Sequence, residues 1–324
     1  MKTKINLREV GLLVFLIVGV IFVQFNNHDF LSMTNIMNLL KNTSLLAILT
    51  LGMATVMISG GIDLSAGAVL ALAGMSSAVV VAKFPSLPIP LVIMLGMGIG
   101  MFCGVVLGLL VAKGNIIPTI ASLAMMNVFR GLTYVVGNNK WISAHQMSKE
   151  FKALSTDSFL GLNNLVWVAL MMLIVFYYFW NYTKMGRNIY AVGSNEAATH
   201  ITGINKTKTL LSAYAINGLL VGLVGVLWVS RYASAQGDTA SGYEMNIIAA
   251  SVLGGVSVTG GVGKITGLIL GFATLGILNN ALPMLNVSTF WEDAITGSVT
   301  LFAVIMSIVI KRRNDKATLE GRDI

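Results

Sequence analysis

The chain has 324 residues, of which 56% are hydrophobic and 10% charged, whereas an ordinary soluble domain carries about a quarter charged residues. This excludes a soluble enzyme or a nucleic-acid-binding module and describes an all-α polytopic membrane protein, in which the formal charge of +8 reads as positive-inside asymmetry. The single cysteine, Cys103, excludes a disulfide framework.

In chain order, the basic start "MKTKINLRE" leads into an apolar run near 10–25. The sequence that follows, "QFNNHDF", offers no small-residue cleavage site, so this run is a first span and not a secretory signal. Further runs long enough to cross a bilayer lie near 44–59, 66–83, 89–112, 116–136, 164–182, 209–232, 264–285 and 290–310. The stretch 247–259 is too short to cross alone and carries Gly254 and Gly255, so it is expected to be a tenth, interrupted or re-entrant segment. Ten crossings with both ends in the cytoplasm put most Lys and Arg inside, including Lys2, Lys4, Arg8, Lys184, Arg187 and the tail Lys311, Arg312 and Arg313. Nine crossings would put that tail outside, against the positive-inside bias. Two loops are long, 137–163 outside and 183–208 inside, and the whole chain reads as one transmembrane domain.

Between the second and third spans stands "GGIDLSAGAVLALAG" (60–74), with a carboxylate, Asp63, flanked by apolar runs. It has two compatible readings. Asp63 or Ser65 can cap the helix beginning at Ala66 and complement its dipole; as an intramembrane acid, Asp63 can also line a polar path. Aligning "MISGGIDLSAG" (57–67) with "SVLGGVSVTGG" (251–261) superposes Gly60 and Gly61 on Gly254 and Gly255 at an offset of 194 residues. Matching interruptions in two halves, approximately 44–136 and 209–310, suggest the duplicated architecture of many transporters.

The glycines at 96, 100, 104 and 108, and again at 263, 267 and 271, form stripes suited to close helix packing in lipid. "GGVGKITG" (260–267) fails as a phosphate loop, because Val258 stands where the first glycine belongs and Ile265 where a magnesium-holding hydroxyl belongs. His28, His145 and His200 have no second ligand at metal spacing, and no catalytic set can be nominated. No enzyme and no cofactor is expected in this chain. Polar and aromatic candidates for a solute path are Asn127, Phe129, Arg130, Asn217 and Gln236, with Asn279, Asn280, Phe290 and Trp291 as further groups in or at the ends of spans. Glu292 and Asp293 open the last span from the outside. In the inner loop, "SNEAATHITG" (194–203) reads as a short helix capped at Ser194 or Asn195 and ended by Gly203.

Three motifs, "SGGIDLSAGAVLALAG", "GRNIYAVGSNEAATHITGI" (186–204) and "SGYEMNIIAASVLGGVSVTGGVGKITG" (241–267), in the same order along nearly the whole chain, resemble the ribose-type sugar permeases of bacterial ABC importers. The segments at 137–143, 227–236 and 288–297 are similar to the rhamnose and autoinducer-2-like members of that branch. The resemblance implies a fold like that of the vitamin B12-type importers, with about ten helices, in the bacterial inner membrane. It also implies a second permease chain, the same or related, two ABC ATPase subunits that carry ATP and magnesium, and an extracytoplasmic solute-binding protein. It assigns Asn195, Glu196, Ala197, Ala198 and Gly203 to a coupling helix facing the ATPase, with His200 where relatives often have arginine. Gly60, Gly61, Asp63, Ser65, Gly254 and Gly255 belong to the family motifs beside the pathway. The rival reading is an ion-coupled secondary transporter, which would use acids deep in its spans; a third is a membrane scaffold or sensor.

Overall fold

The computed structural model describes residues 7–288 together with 291, 294–298, 301 and 305. The last predicted span and the basic tail, with Phe290, Glu292 and Asp293, fall almost wholly outside the described residues. Among the described residues, eight helices are long and apolar enough to cross a membrane: α1 (Leu7–Asn26), α2 (Met33–Ile58), α3 (Ala66–Lys83), α4 (Ile89–Ala112), α5 (Pro118–Val136), α7 (Asn164–Tyr182), α10 (Lys206–Tyr232) and α12 (Ile265–Met284). Between them lie the shorter helices α6 (Lys149–Thr156), α8 (Lys184–Ser194), α9 (Glu196–Ile201) and α11 (Tyr243–Leu253). A 3-10 turn (Ala144–Gln146) and four two-residue strands complete the described elements: β1 (Ile142–Ser143), β2 (Ser158–Phe159), β3 (Leu162–Asn163) and β4 (Ser234–Ala235).

The helices start where the local chemistry lets them. Ser32, Ser148, Asn163, Thr183 and Asn205 each accept a first-turn N–H through the side chain, while Pro at the start of α4 and α5 gives up no needed donor. α2 begins eleven positions before the apolar run at 44. Its polar first turns are tied to α12, where the amides of Asn35 and Asn280 exchange hydrogen bonds of 2.9 and 3.0 Å. The loop at 137–163 is not loose. α6 lies on the end of α10 through Ser155 Oγ to the Leu227 carbonyl, 3.1 Å, and Ser230 Oγ to the Phe151 carbonyl, 2.7 Å. β2 and β3 form a hairpin turned by Leu160 and Gly161, both at positive φ, and β1 pairs antiparallel with β4.

α2, α3 and α10 are buried over most of their length and form the centre; α1, α5 and α7 present most of their surface outward, as helices in contact with lipid do. The closest packing is between α4 and α10. A Cβ at Gly100 would strike the Gly218 carbonyl and stand 2.7 Å from the Gly222 Cα, and one at Gly222 or Gly218 would meet the carbonyls of Gly96 and Gly100 in return. The glycine stripe is therefore a backbone-to-backbone seam, the arrangement small residues permit where apolar burial gives helices no advantage over lipid. Gly267 and Gly271 do the same against Gly254 and Ala250 of α11. The lone Cys103 is buried on the same helix as the first stripe.

Gly98 has nothing within 4 Å of an added Cβ, so the same helix carries its own control. Gly100→Ala is expected to lose roughly 1–3 kcal/mol of stability by overpacking, whereas Gly98→Ala is expected to lose none. Thermal denaturation in detergent, read by the fraction remaining monodisperse, checks this; equal melting of the two variants would contradict a backbone seam.

Candidate functional site

α2, a membrane-length helix of 26 residues, and α11, of 11 residues, end in the same turn. Gly60 N–H donates to the Met57 carbonyl at 2.9 Å and Gly61 N–H to Val56 at 3.0 Å; Gly255 N–H donates to Val252 at 2.9 Å and Val256 N–H to Ser251 at 3.0 Å. Gly60 and Gly255 sit at φ of 92° and 87°, the left-handed position that ends a helix in this motif and that glycine alone adopts freely. The structural equivalents are thus Gly60 with Gly255. This corrects the sequence alignment, which paired Gly60 with Gly254: two adjacent glycines in each copy allow either register, and only the sign of φ distinguishes them. Gly254 instead holds the C-cap position in right-handed geometry, against Leu268 of α12.

After the first turn the chain carries Asp63 into the interior, where it is 3% exposed. Its Oδ1 accepts from the Ser65 N–H at 2.8 Å and the Ser65 hydroxyl at 2.6 Å, and its Oδ2 accepts from Asn217 Nδ2 at 2.7 Å. Neither Asp63 nor Ser65 caps the first turn of α3 in the expected way. Ser65 occupies the N-cap position with no side-chain cap bond, because its hydroxyl is donated to Asp63. The carboxylate closes a local turn and fastens it to the middle of α10. Around it, Asn217 Oδ1 and the Tyr214 hydroxyl are buried without a hydrogen-bond partner, the latter against Gly61.

Arg130 of α5 does not reach for the surface. Its Nη1 donates to the carbonyls of Gly237 at 2.9 Å and Thr239 at 2.7 Å, in the segment that turns from α10 into α11. Gln236 in that segment is held by its own neighbours, its N–H on Thr239 Oγ1 at 3.0 Å and its Nε2 on Ser234 Oγ at 3.1 Å. Glu244, in the first turn of α11, is 8% exposed, with Oε2 unpartnered and lying against Gly67 of α3. Asp63 is therefore not alone as an interior acid, and the sequence reading missed the second one. The signal was "SGYEMN": an acid in the first turn of a helix that starts before, not within, the apolar run.

The inner segment folds as two helices, where one was expected. α8 precedes the expected short helix because Thr183 accepts from the Gly186 N–H at 3.0 Å. α9 follows, started by Asn195 Oδ1 accepting from the Ala198 N–H at 3.0 Å and terminated by Gly203 at φ 72°. Ala198 is exposed. The Tyr190 hydroxyl of α8 donates to the Gly263 carbonyl at 2.9 Å; burial pushes its pKa up to about 12, so it remains a donor at physiological pH. A cavity of about 410 Å³ opens beside the first glycine turn, lined by Gly60, Gly61, residues 115–118, Gly193 and Tyr214.

The structure brings together Asp63, Ser65 and Asn217, and separately Arg130 and the segment holding Gln236. It does not bring the remaining path candidates to either group: Asn127 is exposed and bonds the Leu123 carbonyl of its own helix, Phe129 is buried in the core, and Asn280 is used by Asn35. Trp291 is largely exposed. Among the described residues, no group of three or more His, Cys, Asp or Glu could hold a metal.

Truncating either member of the Asp63–Asn217 pair strands a buried polar group, at about 1–3 kcal/mol each and more for a charged one. Asp63→Ala and Asn217→Ala are accordingly expected to be non-additive, coupled by about 0.5–3 kcal/mol. Unfolding of the two single variants and the double variant measures this, and strict additivity would show that the pair contributes nothing as a pair.

Comparison with known proteins bears on what these helices belong to. The family model described as branched-chain amino acid transport system / permease component matches residues 35–304. The ribose import permease protein RbsC of Escherichia coli (strain K12) is 37% identical over 94% of this chain and 95% of its own length. The protein of the same name from Bacillus subtilis (strain 168) is 39% identical over 93% and 92%. The galactose/methyl galactoside import permease protein MglC of Escherichia coli (strain K12) is 32% identical over 93% and 94%. No solved structure matches the chain. A match across most of the chain, on a bundle of membrane-length helices, is decisive: the chain belongs to the branched-chain amino acid transport system / permease component family.

Proposed function

We propose that this chain is the membrane-spanning permease subunit of an ATP-driven importer for a monosaccharide or sugar-like solute. The observation that carries the reading is full-length similarity at 32–39% identity to permeases whose names specify ribose and galactose import. The substrate class therefore comes from these sugar permeases and not from the amino acids in the family description. The permease works by alternating access in the bacterial inner membrane with both termini in the cytoplasm. An extracytoplasmic binding protein delivers the solute on the face carrying 137–163. A partner ABC ATPase, holding ATP and magnesium, engages the face carrying α8 and α9. A second permease chain completes the translocating unit.

Two features of this chain suit those roles. An importer driven by a separate ATPase needs a firm projection to receive its motion, and α8–α9 is the longest connection on its face, built from two capped helices. Asn195, Glu196, Ala197, Ala198 and Gly203 form the coupling contact. The two glycine turns, with Gly60, Gly61, Asp63 and Ser65 in one and Gly254 and Gly255 in the other, put largely buried non-helical backbone inside the bundle. In a membrane such backbone is tolerated only where protein or a water-lined path surrounds it, and in transporters it lies next to the solute. Asn217 holds the first turn through Asp63, and Arg130 holds the chain at Gly237 and Thr239, ahead of α11. The buried acids Asp63 and Glu244 are the groups an ion-coupled transporter would use; Asp63 is fully engaged in fixing its turn, and Glu244 sits at the positive end of α11.

Replacing Glu196 and Gly203 together, as Glu196→Ala with Gly203→Val, is expected to leave the permease inserted while abolishing retention of the ATPase. A side chain at φ 72° strains the backbone by about 1–2 kcal/mol and redirects the end of α9. Affinity purification with mass spectrometry, and uptake of labelled D-ribose, D-galactose and L-arabinose into proteoliposomes with and without ATP, test the reading. Wild-type ATPase retention and uptake in the double variant would refute the coupling assignment. Uptake by the wild-type chain that persists without ATP would favour an ion-coupled transporter.

A further inference from the structure

Three backbone segments meet at a single carbonyl. The Ile58 carbonyl, at the end of α2, accepts from the Gly261 N–H at 2.8 Å, so the α2–α3 turn is hydrogen-bonded directly to the α11–α12 connection 203 residues later in the chain. Gly193, the penultimate residue of α8, is pressed onto the same place: a Cβ there would overlap the Ile58 carbonyl oxygen and stand 2.8 Å from the Gly261 nitrogen. Gly260 closes the junction, its absent Cβ 2.6 Å from the Gly193 carbonyl and 3.0 Å from the Gly60 Cα, and Gly261 faces the Ser194 Cα at 2.7 Å. Gly60, Gly260 and Gly261 are at positive φ, whereas Gly193 has ordinary helical geometry. Gly193 is thus required by proximity and not by conformation.

We infer that this four-glycine junction of Gly60, Gly193, Gly260 and Gly261 is the transmission point through which α8 moves the α2–α3 turn and the α11–α12 connection together. The inference rests on the permease reading above. Contacts between side chains can be re-packed when one partner shifts, but backbone in van der Waals contact with backbone has nothing to yield. A displacement of α8 at Gly193 therefore reaches the end of α2 and the 254–264 connection in the same step. The Tyr190 hydroxyl, donated to the Gly263 carbonyl at 2.9 Å, adds a second tie between α8 and that connection one helical turn earlier. The α2–α3 turn and the α11–α12 connection are in this way governed by one residue of the segment next to α9.

The test separates transmission from assembly. Gly193→Ala forces α8 away from the Ile58 carbonyl without straining its own backbone, and Tyr190→Phe removes one hydrogen bond and no volume. Each variant complex, purified with its ATPase and reconstituted with the binding protein, is assayed for labelled D-ribose, D-galactose or L-arabinose taken up per ATP hydrolysed. The expected result is normal ATPase retention and hydrolysis with a reduced ratio. For Tyr190→Phe the fall is about fivefold, the equilibrium change associated with one hydrogen bond, and for Gly193→Ala it is larger. A reduced ratio in either folded variant supports the inference. A wild-type ratio in both, or in Tyr190→Phe alone if Gly193→Ala does not assemble, overturns it. A wild-type complex that shows no ATP-dependent uptake would count against the permease reading instead.

Discussion

Backbone N–H and C=O groups in a bilayer must find partners within the protein, and the two glycine turns that end α2 and α11 are organised around that requirement. When α2 ends at Ile58, its last carbonyls are taken up by Gly60, Gly61 and Gly261. When α11 ends at Leu253, Gly255 and Val256 do the same. The segment leading into α3 is then held by a carboxylate that accepts from Ser65 and from Asn217 on another helix. The segment leading into α11 is held by an arginine that donates to two of its carbonyls. The turn after α2 thus has a carboxylate of its own, while the arginine serves the approach to α11, at the other end of that helix from its glycine turn.

Buried Asp63 and part-buried Arg130 each find polar partners other than one another. The carboxylate accepts from one backbone N–H, one hydroxyl and one side-chain amide, and the guanidinium donates to two carbonyls. A carboxylate with several donors and a guanidinium with several carbonyls are among the few arrangements that offset the loss of water around a charge. They also leave the turn before α3 and the segment before α11 firmly placed.

Much of the fold was legible because membrane-length apolar runs have few alternatives: seven of the eight long described helices lie within a few residues of their predicted spans, and α2 differs because its polar beginning is satisfied by Asn280, which is 245 positions from Asn35. The short amphipathic helix α8 was not legible from apolarity, since its stability derives from the Thr183 cap and contacts with the turns. The glycine pairs announced the interruptions, but their register depended on a dihedral sign that adjacent glycines conceal. Asp63 was conspicuous in the sequence, yet its partner Asn217 is 154 positions away, and no local pattern marks it. Glu244 escaped notice because it stands just outside the apolar run that was taken as the helix. Polarity or an aromatic face, the marks of the candidate path residues, cannot tell a group used for packing, such as Asn280, from one left facing a cavity.

The seam between α4 and α10 has one more consequence. A Cβ added at Gly222, Gly218 or Gly100 would overlap the carbonyl oxygen of Gly96, Gly100 or Gly218 on the opposite helix, so the two backbones meet with no side chain between them to change rotamer. Two helices joined in this way cannot slide or roll past one another by small steps; they form a single rigid body about two helix diameters wide, with Asn217 embedded in it. Any rocking of the bundle must then occur at its other boundaries, and the Asp63 turn, tied to Asn217, travels with the stiff half.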